Sequence, residues 1–407
     1  MEKKHVRFLW AGQTLANIGD ILYLVALISI LYNVSDSALF TSLVPLVFVF
    51  AQLISGVCAP LLFDRFSLPG LLVLSQSMKT ILLISMAVLY GLWTTPSTVF
   101  LAFVFIFFIA LSDGIATPTR NAILPRLVEK TLLLRVNSLF GTTDQVVQFL
   151  GWAFGGVSVA LFGGTNVLWL TIGLYILATL ILIPLQVEKS EPVPKASRFH
   201  SIKEGWLELW NNPTLKAITV LDILDGLAGG VWISAILLVY AKQVLHQGEE
   251  MWGFLNASYF VGMIVGGLLV YRLADCLKER IGLFIVCSIG ISCFLTYLFG
   301  MTRYAWAAIL LSVIFGPVHQ VLIMGKQSLI QLNSPTVTLP KVLSARSTIE
   351  YVSFGLSVLA VSAITDHFGA EDAYRFAAAL LALATICAIR SKRYLRYKEL
   401  TQHENLL

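Results

Sequence analysis

Residues 8–32 read FLWAGQTLANIGDILYLVALISILY. Asp20 is the single charged side chain in this run, and most of the other residues are apolar. A membrane-spanning helix needs about 20 mostly apolar residues. We therefore expect residues 8–32 to cross a lipid bilayer as one helix.

The whole chain shares this apolar character. Of its 407 residues, 57% are hydrophobic and 13% are charged, and the mean hydropathy is +0.82. Soluble domains carry roughly 25% charged residues, so this composition excludes a water-soluble fold. The windows that are long and apolar enough to span a bilayer are 8–32, 38–63, 70–92, 97–118, 138–162, 165–187, 213–241, 250–272, 281–300, 304–325, 342–365 and 373–390.

The distribution of Lys and Arg indicates the orientation. With the N-terminus in the cytoplasm, 24 of the 28 basic residues fall in cytoplasmic segments. Lys242, Arg303 and Arg375 fall in external loops, and Lys79 lies inside the third window. Cytoplasmic loops of membrane proteins carry an excess of positive charge. We predict an all-α polytopic membrane protein with 12 transmembrane helices and both termini in the cytoplasm.

A polar stretch from Glu188 to Asn212 divides the chain into two halves. It separates a six-helix bundle at 1–187 from a second six-helix bundle at 213–395, which a cytoplasmic tail at 396–407 follows. Within this linker an amphipathic helix is predicted, because its apolar side chains share one helical face. That face could lie on the membrane surface or pack against the protein. Its residues are Ile202, Trp206, Leu209 and Trp210.

The two halves repeat each other at an offset of 206 residues. Charged and polar positions recur in this register, as do the two Phe-Gly steps at 162–163 and 368–369. The remaining matched pairs are Arg120 with Lys326, Arg135 with Lys341, Val136 with Val342, Ser138 with Ser344, Asp144 with Glu350, and Asp113 with His319. Parallel six-helix repeats are typical of one large class of secondary transporters.

Several motifs resemble the drug:proton antiporter branch of the major facilitator superfamily, which includes Mef-type macrolide efflux proteins and the enterobactin exporter. The longest is Thr117–Val128, followed by Arg135–Leu139. Trp10–Thr14 with Asn17–Gly19 fits the same branch, as does Gly205 ahead of Asn212-Pro213. Two positions depart from the pattern: no basic cluster follows Asp64-Arg65, and Trp152 occupies a position where antiporters have proline.

The resemblance implies a central cavity lined by helices 1 and 7, and acids in these helices are candidate proton carriers. Charged groups at membrane depth are expensive and mark functional sites by default. Asp20 lies midway along helix 1, and Asp222 and Asp225 share one face of helix 7. The alternative is that each acid is paired with a polar neighbour or Lys79 and only fixes packing.

Further candidates for coupling and for the cavity come from helices 1, 4, 5 and 10. Asp113 and the matched His319 fall toward the cytoplasmic ends of helices 4 and 10, where a histidine can titrate near physiological pH or simply be hydrogen-bonded in place. The candidate cavity-lining residues are Gln13, Tyr23 and Gln148.

A second set of charges could form a cytoplasmic gate. In the superfamily, the loops between helices 2–3 and 8–9 lock when the cytoplasmic side is closed, and salt bridges that form in one state only act as switches. Static interfacial charge is the alternative. The candidates for the gate are Asp64, Arg65, Asp144, Glu350, Arg272, Asp275 and Arg346.

Together these features predict a transporter and not an enzyme. A GxxxxGK[ST] run, an HExxH motif and Cys/His metal spacings are all missing from the sequence, which argues against direct ATP use and against a metal site. We expect no cofactor, with a proton gradient as the driving force. The predicted protein is a monomeric, multi-pass protein of a bacterial cell membrane, with the lipid bilayer and a small amphipathic substrate as its partners and no nucleic acid.

The predicted function is proton-coupled efflux of a bulky, macrolide-like compound by alternating access. Export or flipping of an endogenous molecule, such as a siderophore or lysophospholipid, is the alternative. A non-transporting sensor on the same fold is a weaker one, because a scaffold has no need of acids at membrane depth.

Overall fold

The computed structural model describes residues 2–35, 38–89, 96–187, 198–232 and 234–396. Residues 188–197 of the predicted linker and 397–407 of the predicted tail lie outside this part. Short 3-10 turns occur at Lys130–Leu132 and Gly229–Trp232. The α-helices are α1 (Glu2–Ser35), α2 (Ala38–Cys58), α3 (Pro60–Phe63), α4 (Leu68–Leu89), α5 (Pro96–Leu127), α6 (Leu133–Phe162), α7 (Gly164–Leu182), α8 (Arg198–Asn211), α9 (Pro213–Ala228), α10 (Ser234–Gln243), α11 (Glu249–Glu279), α12 (Ile281–Met301), α13 (Ala305–Asn333), α14 (Leu339–Phe368) and α15 (Ala370–Ser391).

The chain is an all-α polytopic membrane protein. Within the described ranges, 10 helices are long and apolar enough to cross a membrane. The count becomes 11 if Pro213–Trp232 and Ile236–Gln243, which meet at 48°, form one bent span. A shorter apolar helix covers Leu43–Cys58. Within the described ranges every predicted window overlaps one of these segments, while residues 90–92 of the third window lie outside them, and the count of 12 and the location of the termini stay predictions.

Several helices extend beyond the apolar windows that predicted them. The window 97–118 corresponds to a helix that continues to Leu127, and the window 304–325 to one that continues to Asn333. Hydropathy falls where charged residues enter, yet Arg120 and Lys326 remain helical with side chains that are 15% and 4% exposed. Both residues therefore stand inside helices, with their charges paired within the protein.

The described residues belong to two compact units. The first comprises Met1–Val128, Thr143–Trp206 and Thr336–Tyr351. Its apolar core gathers side chains of α1, α4, α5 and α7, among them the fully buried Leu27 and Tyr175. Apolar packing of this kind positions the polar groups between the helices.

The second unit comprises Glu129–Thr142, Leu207–Pro335 and Val352–Leu407. Its core is rich in aromatic rings: the ring centroids of Tyr240, Phe299 and Tyr374 lie within 5.1 Å of one another, and Tyr240 stacks on Phe299. The units differ from the sequence halves 1–187 and 213–395 because α6 and α14 each contribute their first turns to one unit and the remainder to the other. The division into halves at the linker stays a prediction about the sequence repeat.

The 206-residue repeat reappears in the helix boundaries. Helices α6 and α14 both have 30 residues, and their ends at Phe162 and Phe368 differ by the same offset. Gly163 and Gly369 follow them with φ values of 79° and 92°. Glycine adopts such positive φ at no steric cost, which explains why Phe-Gly recurs at both breaks.

Glycines also bring helices of the second unit close together. A Cβ on Gly262 of α11 would collide with the Val313 carbonyl of α13 and lie 3.1 Å from the Gly316 Cα. Small residues allow backbones of membrane helices to approach in this way. Gly262 and Gly266 of α11 therefore act in packing against α13.

Candidate proton-coupling site

A lysine inside the first unit is shared by two carboxylates. Lys79, on α4, is 1% exposed and forms ion pairs with Asp20 of α1 and Asp113 of α5. Its Nζ lies 3.0 Å from the Asp113 Oδ1. Asp20, Lys79 and Asp113 are called the Lys79 cluster below. It joins three helices at one point in the apolar core.

Neutral polar groups hold both acids of the Lys79 cluster in place. The Tyr175 hydroxyl donates to the Asp20 Oδ1 at 2.5 Å, and the Gln52 Nε2 donates to the Asp113 Oδ2 at 3.1 Å. The Tyr175 ring occupies space that Gly19 leaves open, because a Cβ on Gly19 would lie 2.5 Å from the Tyr175 Cε1. The Asn17–Gly19 motif thus makes room for a partner of the neighbouring acid.

The charges of the Lys79 cluster do not balance. If both carboxylates are ionised, two negative charges face one ammonium, and no second cation lies within 4 Å of either acid among the residues that the structure describes. Both aspartates are 21% exposed. An uncompensated charge in such surroundings is costly. One bound proton would neutralise the cluster, so this arrangement is suited to taking up and releasing a proton.

The second unit contains a comparable group. Lys326, on α13, is 4% exposed, and its Nζ lies 2.8 Å from oxygens of both Asp222 and Asp225 on α9. The spacing of three residues places the two acids on one helical face. His319 of α13 approaches Asp225, with 4.0 Å between its Nε2 and the Oδ2. Asp222, Asp225, Lys326 and His319 are called the Lys326 cluster below.

Aromatic rings continue from the Lys326 cluster. The Tyr259 hydroxyl and the His319 Nδ1 are 2.9 Å apart and hydrogen-bonded. Tyr259 stacks on Trp232 at 6.3 Å between ring centroids, and Trp232 stacks on Phe315 at 4.4 Å. Trp232 belongs to the 3-10 turn that follows α9, so the break in this helix adds a large ring to this aromatic group. The group offers apolar faces and a carboxylate within one unit.

The matched acids Asp144 and Glu350 have different partners. Asp144 accepts hydrogen bonds from Arg120 at 3.1 Å and from the Asn17 Nδ2 at 2.7 Å. Glu350 pairs with Arg346, one turn earlier on α14, at 3.0 Å. The repeat preserves the acid but not its surroundings, since one pair joins helices and the other lies within a helix.

Two further pairs hold the loop acids predicted for the gate. The Lys341 Nζ lies 2.6 Å from the Asp64 Oδ1 and 2.7 Å from the Glu204 Oε2, and its side chain is 1% exposed. In the second unit, Arg135 pairs with Asp275 at 2.7 Å, and their side chains are 34% and 60% exposed. Glu204 belongs to α8, so the linker helix is attached to the first unit by a buried cation.

The family of this protein can now be assigned from a comparison over nearly the whole chain. Residues 1–404 match the transmembrane secretion effector family of the major facilitator superfamily. The chain belongs to this family. The uncharacterized MFS-type transporter YfmI of Bacillus subtilis is 30% identical over 391 residues, which cover 95% of this chain and 96% of YfmI.

A drug pump is among the more distant relatives of this transmembrane secretion effector. The multidrug efflux pump Tap of Mycolicibacterium fortuitum is 21% identical over 166 residues, 39% of this chain and 40% of Tap. The crystal structure of the human organic anion transporter MFSD10 has the same fold, with a TM-score of 0.77 and 13% identity over 95% of this chain and 99% of MFSD10. The protein is accordingly a multi-pass membrane transporter and not an enzyme.

The structure of this family member groups some of the predicted residues and separates others. Tyr23 is buried one turn from Asp20, and its hydroxyl has no hydrogen-bond partner among the described residues. Gln13 is buried on α1, whereas Gln148 is exposed on α6. Arg65 and Arg272 are exposed, and neither forms an ion pair within the described ranges.

Sequence reasoning missed several residues of these sites. Tyr175, Gln52 and Glu204 were not candidates, and Lys326 and Lys341 were noted only for their places in the repeat. A buried lysine in an apolar helix is rare, so Lys79 carried a usable signal. The tyrosine, the glutamine and the linker glutamate carried none, because their role depends on contacts between distant helices.

Proposed function

We propose that this transporter exports a bulky amphipathic compound in exchange for protons, by alternating access across a bacterial cell membrane. The observation that carries the proposal is the Lys79 cluster, in which two acids share one buried lysine. A proton held there would be exchanged for substrate in each cycle. The protein would act as a monomer and would need no cofactor.

The charge count explains how proton binding could control the transport cycle. With a proton on Asp20 or Asp113, the cluster is neutral and tolerates a dry environment. Without it, one negative charge needs water or a cation. A conformational equilibrium responds to a bound species only through its different affinity for the two states. A proton that prefers the dry state of the cluster would provide such a difference.

The substrate class is suggested by the second unit. The Trp232, Tyr259 and Phe315 rings provide apolar faces, and Tyr259 is hydrogen-bonded to His319, which approaches Asp225. Aromatic faces also attract cations. An amphipathic compound with a positive charge would use both features. Relatedness to Tap, a multidrug efflux pump, agrees with this choice, and macrolides that carry an amine are suitable test compounds.

Inside-out membrane vesicles test the proposal. Vesicles energised to acidify their interior would be loaded with a pH-sensitive dye and given a macrolide or a lipophilic cation. Proton-coupled export predicts that the compound dissipates part of the pH gradient. Asp20→Asn and Asp113→Asn should each abolish this effect, since either variant leaves one lysine and one carboxylate, which is a neutral pair.

A matched control distinguishes this role from a general effect of charge. Asp366 is an exposed aspartate of α14, and Asp366→Asn removes the same charge without touching either cluster. It should keep the proton flux. Full flux in both Asp20→Asn and Asp113→Asn would remove the Lys79 cluster from the mechanism. A lack of flux in the unmodified protein with every compound would contradict drug efflux.

A further inference from the structure

A cavity of about 750 Å³ opens at one end of the second unit. It lies where α8 ends, α9 begins and α13 and α15 end. Pockets for small ligands in proteins range from about 300 to 1,000 Å³, so the volume suits a polar headgroup of a lipid. The lining includes Arg393, Arg396 and Tyr394, together with the amide side chains of Asn211 and Asn333.

Among the described residues that line the cavity, basic side chains outnumber acidic ones. Four basic residues stand in the short segment that begins at the end of α15, namely Arg390, Lys392, Arg393 and Arg396. None of them has a carboxylate within 4 Å in the part of the chain that the structure describes. Glu208 is the one acid among the residues that line the cavity. A phosphate group would therefore meet two arginines and one acid among the lining residues.

The segment that holds these arginines is fixed and not a loose tail. The Thr214 hydroxyl donates to the Tyr394 carbonyl at 2.9 Å. Leu395 is 1% exposed, and its carbonyl packs so closely against Gly282 that a Cβ would not fit there. The Arg393 guanidinium lies 4.6 Å from the centre of the Tyr394 ring. These contacts hold the basic groups at the cavity before any ligand arrives.

An apolar surface leads along α15 to the cavity. Leu383 and Ile386 are 48% and 50% exposed. Ile386 follows Leu383 by three residues and Arg390 follows Ile386 by four, so all three lie on one face of the helix. A membrane helix exposes such side chains to acyl chains. A lipid whose acyl chains lie along this face would place its headgroup at the basic end of α15. A free phosphate ion has no acyl chains, so it could not use the apolar face.

We infer that this cavity binds the headgroup of an anionic phospholipid, with its phosphate on Arg393 and Arg396 and its acyl chains along the exposed face of α15. Basic clusters next to membrane helices attract anionic lipids, and each Lys or Arg near the membrane surface strengthens the attraction about fivefold. This site is separate from both lysine clusters.

Native mass spectrometry of the purified full-length protein in detergent tests the inference. Phosphatidylglycerol and phosphatidylcholine of equal chain length would be titrated, because they differ in net charge. We expect preferential binding of phosphatidylglycerol, and a loss of about 25-fold in its affinity in the double variant Arg393→Gln/Arg396→Gln, from about fivefold per arginine. Both side chains are exposed, so the variant should fold normally, which a melting curve checks.

The double variant Arg272→Gln/Arg280→Gln is the control, since it removes two exposed charges of the same unit that do not line the cavity. It should keep the preference for phosphatidylglycerol. Equal binding of the two lipids by the unmodified protein, or equal losses in the two double variants, would overturn the inference. Displacement of phosphatidylglycerol by millimolar inorganic phosphate would also overturn it, by identifying a site for free anions.

Discussion

Replacing Lys79 by glutamine should destabilise the protein more than any single change at its surface. Lys79 is 1% exposed and is the sole cation of two carboxylates in the described first unit. Removing one partner from a buried ion pair costs roughly 3–5 kcal/mol, because the remaining charge is left uncompensated. Folded proteins are typically stable by only about 5–15 kcal/mol, so Lys79→Gln should consume a large part of the total.

The assay is thermal unfolding of the purified variant in detergent, followed by the loss of monodisperse protein. Lys242→Gln is the control, since Lys242 and its partner Glu249 are 51% and 74% exposed. Exposed pairs contribute only about 0–1 kcal/mol, so this variant should melt close to the unmodified protein.

A charge-balanced variant isolates the cause. Adding Asp20→Asn and Asp113→Asn to Lys79→Gln removes both unpaired acids, so it should restore much of the lost stability. If Lys79→Gln melted with the Lys242→Gln control, the lysine would not be balancing two buried charges. If the triple variant were no more stable than Lys79→Gln, the loss would come from packing and not from charge.

Three further predictions follow from the same contacts. Tyr175→Phe removes a hydrogen bond to Asp20, so it should weaken proton-coupled flux in vesicles. The free energy of unfolding should fall by at most about 1.5–3 kcal/mol, the contribution of a hydrogen bond to a charged group. Gly262→Leu should reduce the yield of folded protein by overpacking against α13, whereas Gly173→Leu, which meets nothing within 4 Å, should not. His319→Gln can keep a hydrogen bond to Tyr259 but loses an imidazole that can accept a proton, so vesicle flux should depend less on pH; an unchanged pH profile would exclude the histidine.

The positions of the helices could be predicted because lipid imposes a simple rule on the sequence. A membrane-spanning helix needs a long apolar run, and residues 8–32 and the other predicted windows each contain one. The rule failed at helix ends, where Lys326 and Arg120 look like loop residues although they are helical. Their charges are balanced by acids that lie far away in the sequence, and a hydropathy window does not register such partners.

The acids of the candidate site could also be predicted from the sequence, since a carboxylate stands out within a long apolar run. Asp20 and Asp113 could be recognised one by one, but their sharing of Lys79 could not, because it depends on how α1, α4 and α5 pack. The sequence repeat was misleading about the partners of one matched pair of acids. It pairs Asp144 with Glu350 in sequence, whereas the structure gives them an interhelical and an intrahelical partner.

The most direct test of the account is a count of protons released when substrate binds. Purified protein in weakly buffered detergent solution would receive an active compound while a pH dye records the change. We predict proton release by the unmodified protein and by Asp366→Asn, and none by Asp20→Asn or Asp113→Asn, in which one lysine faces one acid. Undiminished release by both of these cluster variants would contradict the claim that the two acids and their lysine hold the exchanged proton.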